Sequence, residues 1–217
     1  MNKNRISDRA SSENAPKKTI SGFYSPVKRL LDFMFSLAGI IVLALPMIII
    51  TALIRIDSSG NAIFAQKRIG RFGKVFECYK FRTMKKSAPK YLATKDLDDA
   101  QQFITRTGKF LRKTSLDELP QLFNIIKGEM SFIGPRPLIP EETVVHELRE
   151  KYGVYALRPG ISGYAQIHGR DLISDEEKAS YDKYYLDNFS FKTDLKIVLG
   201  TIPKVLGEED IHEGSIE

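Results

Sequence analysis

Cysteine is nearly absent from the 217 residues, Cys78 standing alone, and tryptophan is missing altogether. One thiol excludes an internal disulfide framework, so the chain suits a reducing compartment and Cys78 is by default a structural thiol. Histidine is scarce as well. His146, His168 and His212 lie far apart, and no Cys or His pair has zinc-site spacing, so zinc is not expected. Negative charge is in deficit, 27 Asp and Glu against 33 Lys and Arg, for a formal charge of +6. That balance suits an anionic lipid surface, a polyanion or a phosphorylated ligand. The length allows one globular domain of ordinary size plus an anchor.

What the chain does have is an uncharged run from Phe33 to Ile54, about 22 residues, the length a helix needs to cross a bilayer core of roughly 30 Å. Pro46 sits inside it. Proline removes a backbone donor and its ring collides with the carbonyl four residues back, that of Val42, so a bend or break is expected. The arms on either side are then about 13 and 9 residues, roughly 20 and 13 Å, and neither crosses alone. Lys28 and Arg29 precede the run, and Arg55, Lys67, Arg68 and Arg71 follow it. Basic flanks stay on the cytoplasmic side. Both flanks obey that rule if the chain enters and leaves by one face, which gives a re-entrant membrane helix over 23–56, broken at Pro46. An ordinary single-pass anchor with a tolerated proline is the alternative. Asp32 has the spacing to pair with Lys28 or Arg29.

Residues 1–22 are polar and Ser- and Lys-rich, which predicts a disordered tail. They do not read as a signal peptide, because the apolar run starts late, is too long and lacks a small-residue cleavage site. After the anchor, Ala62–Lys67 and Val75–Phe81 read as a hairpin around Gly70-Arg71-Phe72-Gly73, with Val75, Glu77, Tyr79 and Phe81 on one side. Its loop and return strand carry Arg68, Arg71, Lys74, Lys80 and Arg82. Such a cluster is usually a solvated face, and two glycines are too weak a signal for a phosphate loop. A helix is predicted near Asp96–Phe103, and others over Gly108–Lys113, Leu119–Lys127, Asp175–Asn188 and Asp194–Leu206. The last is amphipathic, suited to touching a membrane or closing a core. Residues 207–217 form an acidic tail.

The block from Thr105 to Pro140 carries the chemistry. Asp117 and Glu118 lie between two short helices, and Ser115-x-x-Glu118 has the form of a capping box. Pro120 offers another arrangement, in which the regular helix starts only at the proline and the acidic pair lies on the turn ahead. Either way the helix dipole favours an ionised Asp117, as a nucleophile or metal ligand needs. Acidic pairs before helices are ordinary; the density of cations around this one is not. Arg106, Arg112 and Lys113 lie upstream, and Pro135-Arg136-Pro137 fixes the backbone on both sides of an arginine. Leu157-Arg158-Pro159-Gly160 and Gly169-Arg170-Asp171 follow, with Gln166 between them. Rigid guanidiniums suit phosphates or a planar base, and with the acidic pair they predict a pocket for a polyphosphate and a metal ion.

These motifs, K-R-x-x-D, an apolar run with proline, Q-x-R-x-G, Y-K-F-R-T-M, S-L-D-E-L-P-Q-L-x-N, M-S-F-I-G-P-R-P, R-P-G-I-S-G and G-R-D, together resemble the bacterial sugar transferase family, the monotopic phosphoglycosyl transferases. The resemblance covers about Val27 to Leu206. It implies an α/β fold, α-rich with a small β-hairpin, built on a re-entrant membrane helix with amphipathic interfacial helices and a small cytoplasmic catalytic domain over 57–206. It also implies the reaction: a phosphosugar passes from a UDP-sugar to undecaprenyl phosphate and UMP is released, at the cytoplasmic face of the bacterial inner membrane. By motif match Asp117 is the nucleophile and a ligand of Mg²⁺, with Glu118 its catalytic partner. Arg136 meets the nucleotide and Lys80, Arg112 and Arg158 the phosphates, with Arg82, Gln166 and Arg170 as further substrate-binding candidates. Two positions depart from the family pattern: Leu45-Pro46 replaces Ser-Pro, and Asp171 stands where asparagine is frequent. A catalytically silent nucleotide-sugar sensor or assembly scaffold is the alternative reading. Nucleic-acid binding fits the charge but not the apolar run, and a homo-oligomer is compatible with the sequence.

Overall fold

The computed structural model describes residues 23–88, 103–169 and 172–206. The tails expected at 1–22 and 207–217 lie outside them, as does nearly all of the helix expected near Asp96–Phe103. Helices predominate. The apolar run forms α1 (Tyr24–Asp57), 34 residues long, or about 50 Å at 1.5 Å per residue. Among the described residues it is the one helix long and apolar enough to cross a membrane, and only 11% of its most apolar window is buried. A core helix would hide that surface, yet Phe35, Ile41, Val42, Leu45 and Ile48 are exposed. The helix runs through Pro46 to Asp57 without interruption, so the break expected there does not form. Thr51 Oγ1 donates to the Met47 carbonyl at 2.8 Å, one turn beyond the proline.

The narrower face of α1 packs on the rest of the chain at both ends and in the middle. At the start, Lys28 pairs with buried Asp194, which also accepts from Tyr24 and Tyr185. Arg29 donates to the carbonyls of Ile125 and Ile126 at 2.6 and 2.9 Å. The pairing of Asp32 with Lys28 or Arg29 suggested by spacing is therefore not what forms. Both bases have tertiary partners, and Asp32 accepts from the Phe132 amide at 3.2 Å. Midway, Ile40 and Leu43 pack against Phe76, Cys78, Leu122, Ile125 and Met130. Near the end, Met47, Ile50 and Ile54 join Ala62, Phe81 and Leu111.

β1 (Ile63–Ile69) and β2 (Val75–Phe81) pair antiparallel, Ile63 opposite Phe81 and Ile69 opposite Val75. Phe72 (φ 59°) and Gly73 (φ 72°) turn the hairpin in left-handed backbone. The period of two puts Phe76, Cys78 and Lys80 on one face, the first two buried. The expected side of Val75, Glu77, Tyr79 and Phe81 is not uniform: Val75 and Glu77 are exposed, while Phe81 is buried beneath α1. α2 (Arg106–Lys113) starts two residues earlier than predicted because Thr105 caps it, accepting from the Gly108 amide at 2.9 Å. A Cβ on Gly108 would lie 2.0 Å from the Thr83 carbonyl, so glycine lets α2 rest directly on the chain leaving β2.

After a 3₁₀ turn at Leu116–Glu118, α3 (Gln121–Lys127) begins behind Pro120, as the proline-start reading has it, and not at Leu119. β3 (Ser131–Ile133) and β4 (Gly160–Ser162) form a short parallel pair, with α4 (Thr143–Tyr152) between them in sequence. None of these three elements is expected from the pattern. α5 (Tyr164–Ile167) follows, then α6 (Asp175–Asp187), closed by a capping box between Ser174 and Glu177. α7 (Phe191–Leu206) begins three residues before the predicted Asp194.

Candidate active site

Asp117 and Glu118 occupy the 3₁₀ turn ahead of α3. The capping box expected from Ser115 does not form: Ser115 is left-handed (φ 55°, ψ 15°) and makes no side-chain cap bond. A capping serine needs extended backbone to reach the third amide. Freed from that duty, Glu118 meets Lys80. The ammonium lies 2.7 Å from Glu118 Oε1 and 3.8 Å from Asp117 Oδ2, so one cation bridges both carboxylates. Arg136 Nη1 stands 3.6 Å from the same Glu118 oxygen.

Each partner is held from behind. Asn124, fully buried on α3, accepts from the Tyr79 amide at 3.0 Å and donates at 2.7 Å to the Glu77 carbonyl and to Glu129. It fastens α3 to β2 beside Lys80 and so sets the spacing between that lysine and the acidic turn. Arg136 sits where two proline loops meet back to back. Gly134 donates to Ser162 and Gly160 to Pro135, each at 2.9 Å, and a Cβ on Gly134 would lie 2.3 Å from the Arg158 carbonyl. Arg149, buried on α4, donates to the Arg136 carbonyl at 2.9 Å and pairs with buried Asp182 of α6 at 2.6 Å. Arg68 holds the Pro137 carbonyl at 3.0 Å; burial first, then Arg136, pushes its guanidinium pKa down.

Sequence reasoning missed Asn124, Arg149 and Arg68 as supports. Asn124 left a signal, since an amide between Leu122 and Ile125 on an apolar helix face must be satisfied internally. A charged residue such as Arg149 in a polar helix leaves none.

Of the sequence candidates, Lys80, Asp117, Glu118 and Arg136 come together. Arg112 donates to Thr83 Oγ1 at 3.0 Å, and its charge reaches Asp117. Arg82 does not join them. Its guanidinium donates to the carbonyls of Ser58 and Ser59, both at 2.7 Å, and tethers the turn after α1. Arg158 donates to the Gly128 carbonyl at 2.9 Å, at the far end of α3. Gln166 donates to the Ile161 carbonyl at 2.8 Å, while its buried Oε1 has no acceptor role among the described residues. Arg170 lies outside the described residues.

Burial pushes the Asp117 carboxyl above the usual carboxylate range, Lys80 draws it back, Glu118 raises it again, and Arg112 and Arg136 lower it. Desolvation thus opposes the ionisation of Asp117 that the helix dipole favours. The Cys78 thiol is buried and also pushed up by desolvation, as befits a structural role. No group of three or more metal-binding side chains occurs among the described residues. Two adjacent carboxylates still match what Mg²⁺ takes from a protein when phosphates and water supply its other ligands.

Residues 23–208 match the family described as bacterial sugar transferase. The chain is 37% identical over 187 residues to the uncharacterized sugar transferase EpsL of Bacillus subtilis, covering 86% of this chain and 91% of that one. It is 37% identical over 193 residues to the UDP-N-acetylgalactosamine-undecaprenyl-phosphate N-acetylgalactosaminephosphotransferase of Aeromonas hydrophila, covering 86% and 45%. The undecaprenyl-phosphate galactose phosphotransferase of Salmonella typhimurium is 35% identical over 200 residues, with 86% and 42% covered. The chain thus spans nearly all of EpsL but less than half of these two relatives whose names state a reaction. A match running from the first turn of α1 past the end of α7, with the acidic turn at its centre, places the chain in the bacterial sugar transferase family.

Proposed function

We propose that this enzyme transfers a phosphosugar from a UDP-sugar to undecaprenyl phosphate through a covalent intermediate on Asp117, releasing UMP, as the first membrane step of glycoconjugate synthesis. The observation that carries the reading is the acidic turn itself: a buried carboxylate, Asp117, beside a second one, with Lys80 bridging the pair and Arg136 alongside. The names of the Aeromonas and Salmonella relatives support the acceptor and the sugar-phosphate transfer.

In the first half-reaction an Asp117 oxygen attacks the phosphorus that carries the sugar. A bond forms from Oδ to phosphorus, the bond to the bridging oxygen breaks, and its electron pair leaves with UMP. In the second, an oxygen of undecaprenyl phosphate attacks the same phosphorus and the Asp117 carboxylate is restored. Splitting a transfer between two anions in this way lets one nucleophile serve both halves. Lys80, Arg112 and Arg136 offset the repulsion between a carboxylate and a diphosphate. Glu118 holds Lys80 in place and is available to take the acceptor's proton. Mg²⁺, held by Asp117 with Glu118 beside it, would supply further positive charge at the phosphates.

Membrane placement follows from α1. One body of chain touches its first turns, its middle and its last turns, which supports entry and exit by one face at the cytoplasmic side of the inner membrane, by a re-entrant helix that bends without the break expected at Pro46. Exposed Phe110, Leu195, Val198, Leu199 and Ile202 on α2 and α7 suit an interfacial layer around it. The test is UMP release from a panel of UDP-sugars with undecaprenyl phosphate and Mg²⁺. An enzyme of this kind releases UMP and loses the ability on Asp117→Asn; a silent sensor or scaffold releases none in either form. Cysteine labelling of engineered sites before Tyr24 and after Asp57 reads the topology, and labels on opposite faces would refute re-entry.

A further inference from the structure

A small cleft opens beside the first turns of α1. Ser25, Lys28, Arg29 and Asp32 line it from α1, Arg71 from the hairpin turn and Arg158 from the loop before β4. It is not the acidic turn: Glu118 and Gly128 bracket α3, which puts the two places on the order of 15 Å apart along the helix. Lys28, Arg29, Arg71 and Arg158 bring positive charge; the carboxylates that answer are Asp32, at the wall, and Asp194, taken by Lys28. The cleft therefore keeps an excess of positive charge.

The guanidiniums are held together by neutral acceptors. Arg29 spends both Nη groups on helix carbonyls, Arg158 bonds Gly128 through Nε, and Arg71 bonds Ala156 through Nε at 2.8 Å. Among the described residues the Nη groups of Arg71 and Arg158 have no acceptor. Their crowding shows in Arg158, whose pKa is pushed down by burial and then by Arg71 and Arg29, with Asp32 pulling the other way. Cations gathered without matching counter-charge, with forked donors to spare, are suited to a phosphate oxyanion.

We infer that this cleft binds a phosphate-bearing anion at a place separate from the transfer site, and that the anion is the headgroup of an anionic membrane lipid. The lipid source rests on membrane contact by α1 and not on the transfer reaction. Exposed Phe33 and Leu37 continue the Arg29 edge of the cleft along α1 at i+4 and i+8, so a headgroup seated there leaves its acyl chains on an apolar surface. A lipid held by residues at both the helix start and the hairpin turn fixes the depth of the N-terminal arm.

Native mass spectrometry of the full chain in neutral detergent micelles tests this with phosphatidylglycerol, phosphatidylcholine and inorganic phosphate as probes. The wild type should retain one phosphatidylglycerol at least tenfold more than phosphatidylcholine. Arg71→Gln should lose that preference, and so should Ser25→Glu, which brings a carboxylate to the cleft without touching the Arg71 bond to Ala156. Lys109→Gln, at an exposed cation on α2, should keep it. Inorganic phosphate bound by the wild type and by neither cleft variant, with no lipid retained, would support the phosphate chemistry and overturn the lipid source. Retention unchanged in both cleft variants, or no binding of lipid or phosphate, would overturn the site altogether.

Discussion

The two ends of α3 use the same residue types for different ends. Ahead of its N-terminus, Lys80 and Arg136 point at carboxylates, and the turn that presents them is buried but charged. At its C-terminus, Arg29 and Arg158 point at backbone carbonyls and act as extended helix caps. A proline adjoins an arginine in both places, at Arg136 and at Arg158, so rigidity does not separate a ligand-binding cation from a structural one. The donors left over do. Arg29, with both Nη groups on carbonyls, stays where the fold needs it, whereas Arg158, bonded through Nε, keeps its Nη groups for an anion, and Arg136, 3.6 Å from a carboxylate, can exchange that partner for a phosphate.

The sharpest break of this comparison is Asp117→Asn. Loss of the proposed nucleophile should cut UMP release by about a thousandfold or more, with circular dichroism unchanged, and a variant keeping near-normal turnover would remove the acidic turn from the chemistry. Next in size is Asp194→Ala, at the structural end. It leaves Lys28 without its partner in a site where both side chains are about one-tenth exposed, and should cost about 3 kcal/mol in denaturant unfolding. The double change Lys28→Met, Asp194→Leu should recover the part due to the unpaired charge, while the Tyr24 and Tyr185 hydroxyls still lose their acceptor.

Lys80→Gln probes the charge balance at the dyad. Asp117 must be ionised to attack, burial holds its pKa up, and Lys80 pulls it down. Removing the cation raises the pKa further, so the acid limb of the pH–rate profile should move to higher pH. Arg29→Gln, at the other end of α3, should leave that limb in place. The smallest effect belongs to Arg82→Ala. Loss of its bonds to the Ser58 and Ser59 carbonyls should lower unfolding stability by about 1 kcal/mol.

Much of this was legible in the residue order. The apolar run, the hairpin, the helix behind Pro120 and the acidic turn all follow from local signals: absence of charge, alternation, and proline at a helix start. Ser115 misled because a capping box is a pattern of letters until the backbone angle is known, and here that angle is left-handed. Arg82 misled in the same way: two residues after Lys80 it shares that face by strand alternation, yet past the strand end its guanidinium goes to the Ser58 and Ser59 carbonyls. β3 and β4 were missed because they are only three residues each, too short for any period to show.

By itself the sequence determined that Phe33–Ile54 must leave water, because so many uncharged residues have no other stable place, and that an acidic pair must precede a helix beginning at Pro120. Only the tertiary structure decided which cations meet that pair. Lys80 and Arg136 arrive from a strand and a loop remote in the chain, through Asn124, Arg149 and the contact of two glycines. A charge takes the partner that packing puts within about 3 Å, and residue spacing does not encode that distance.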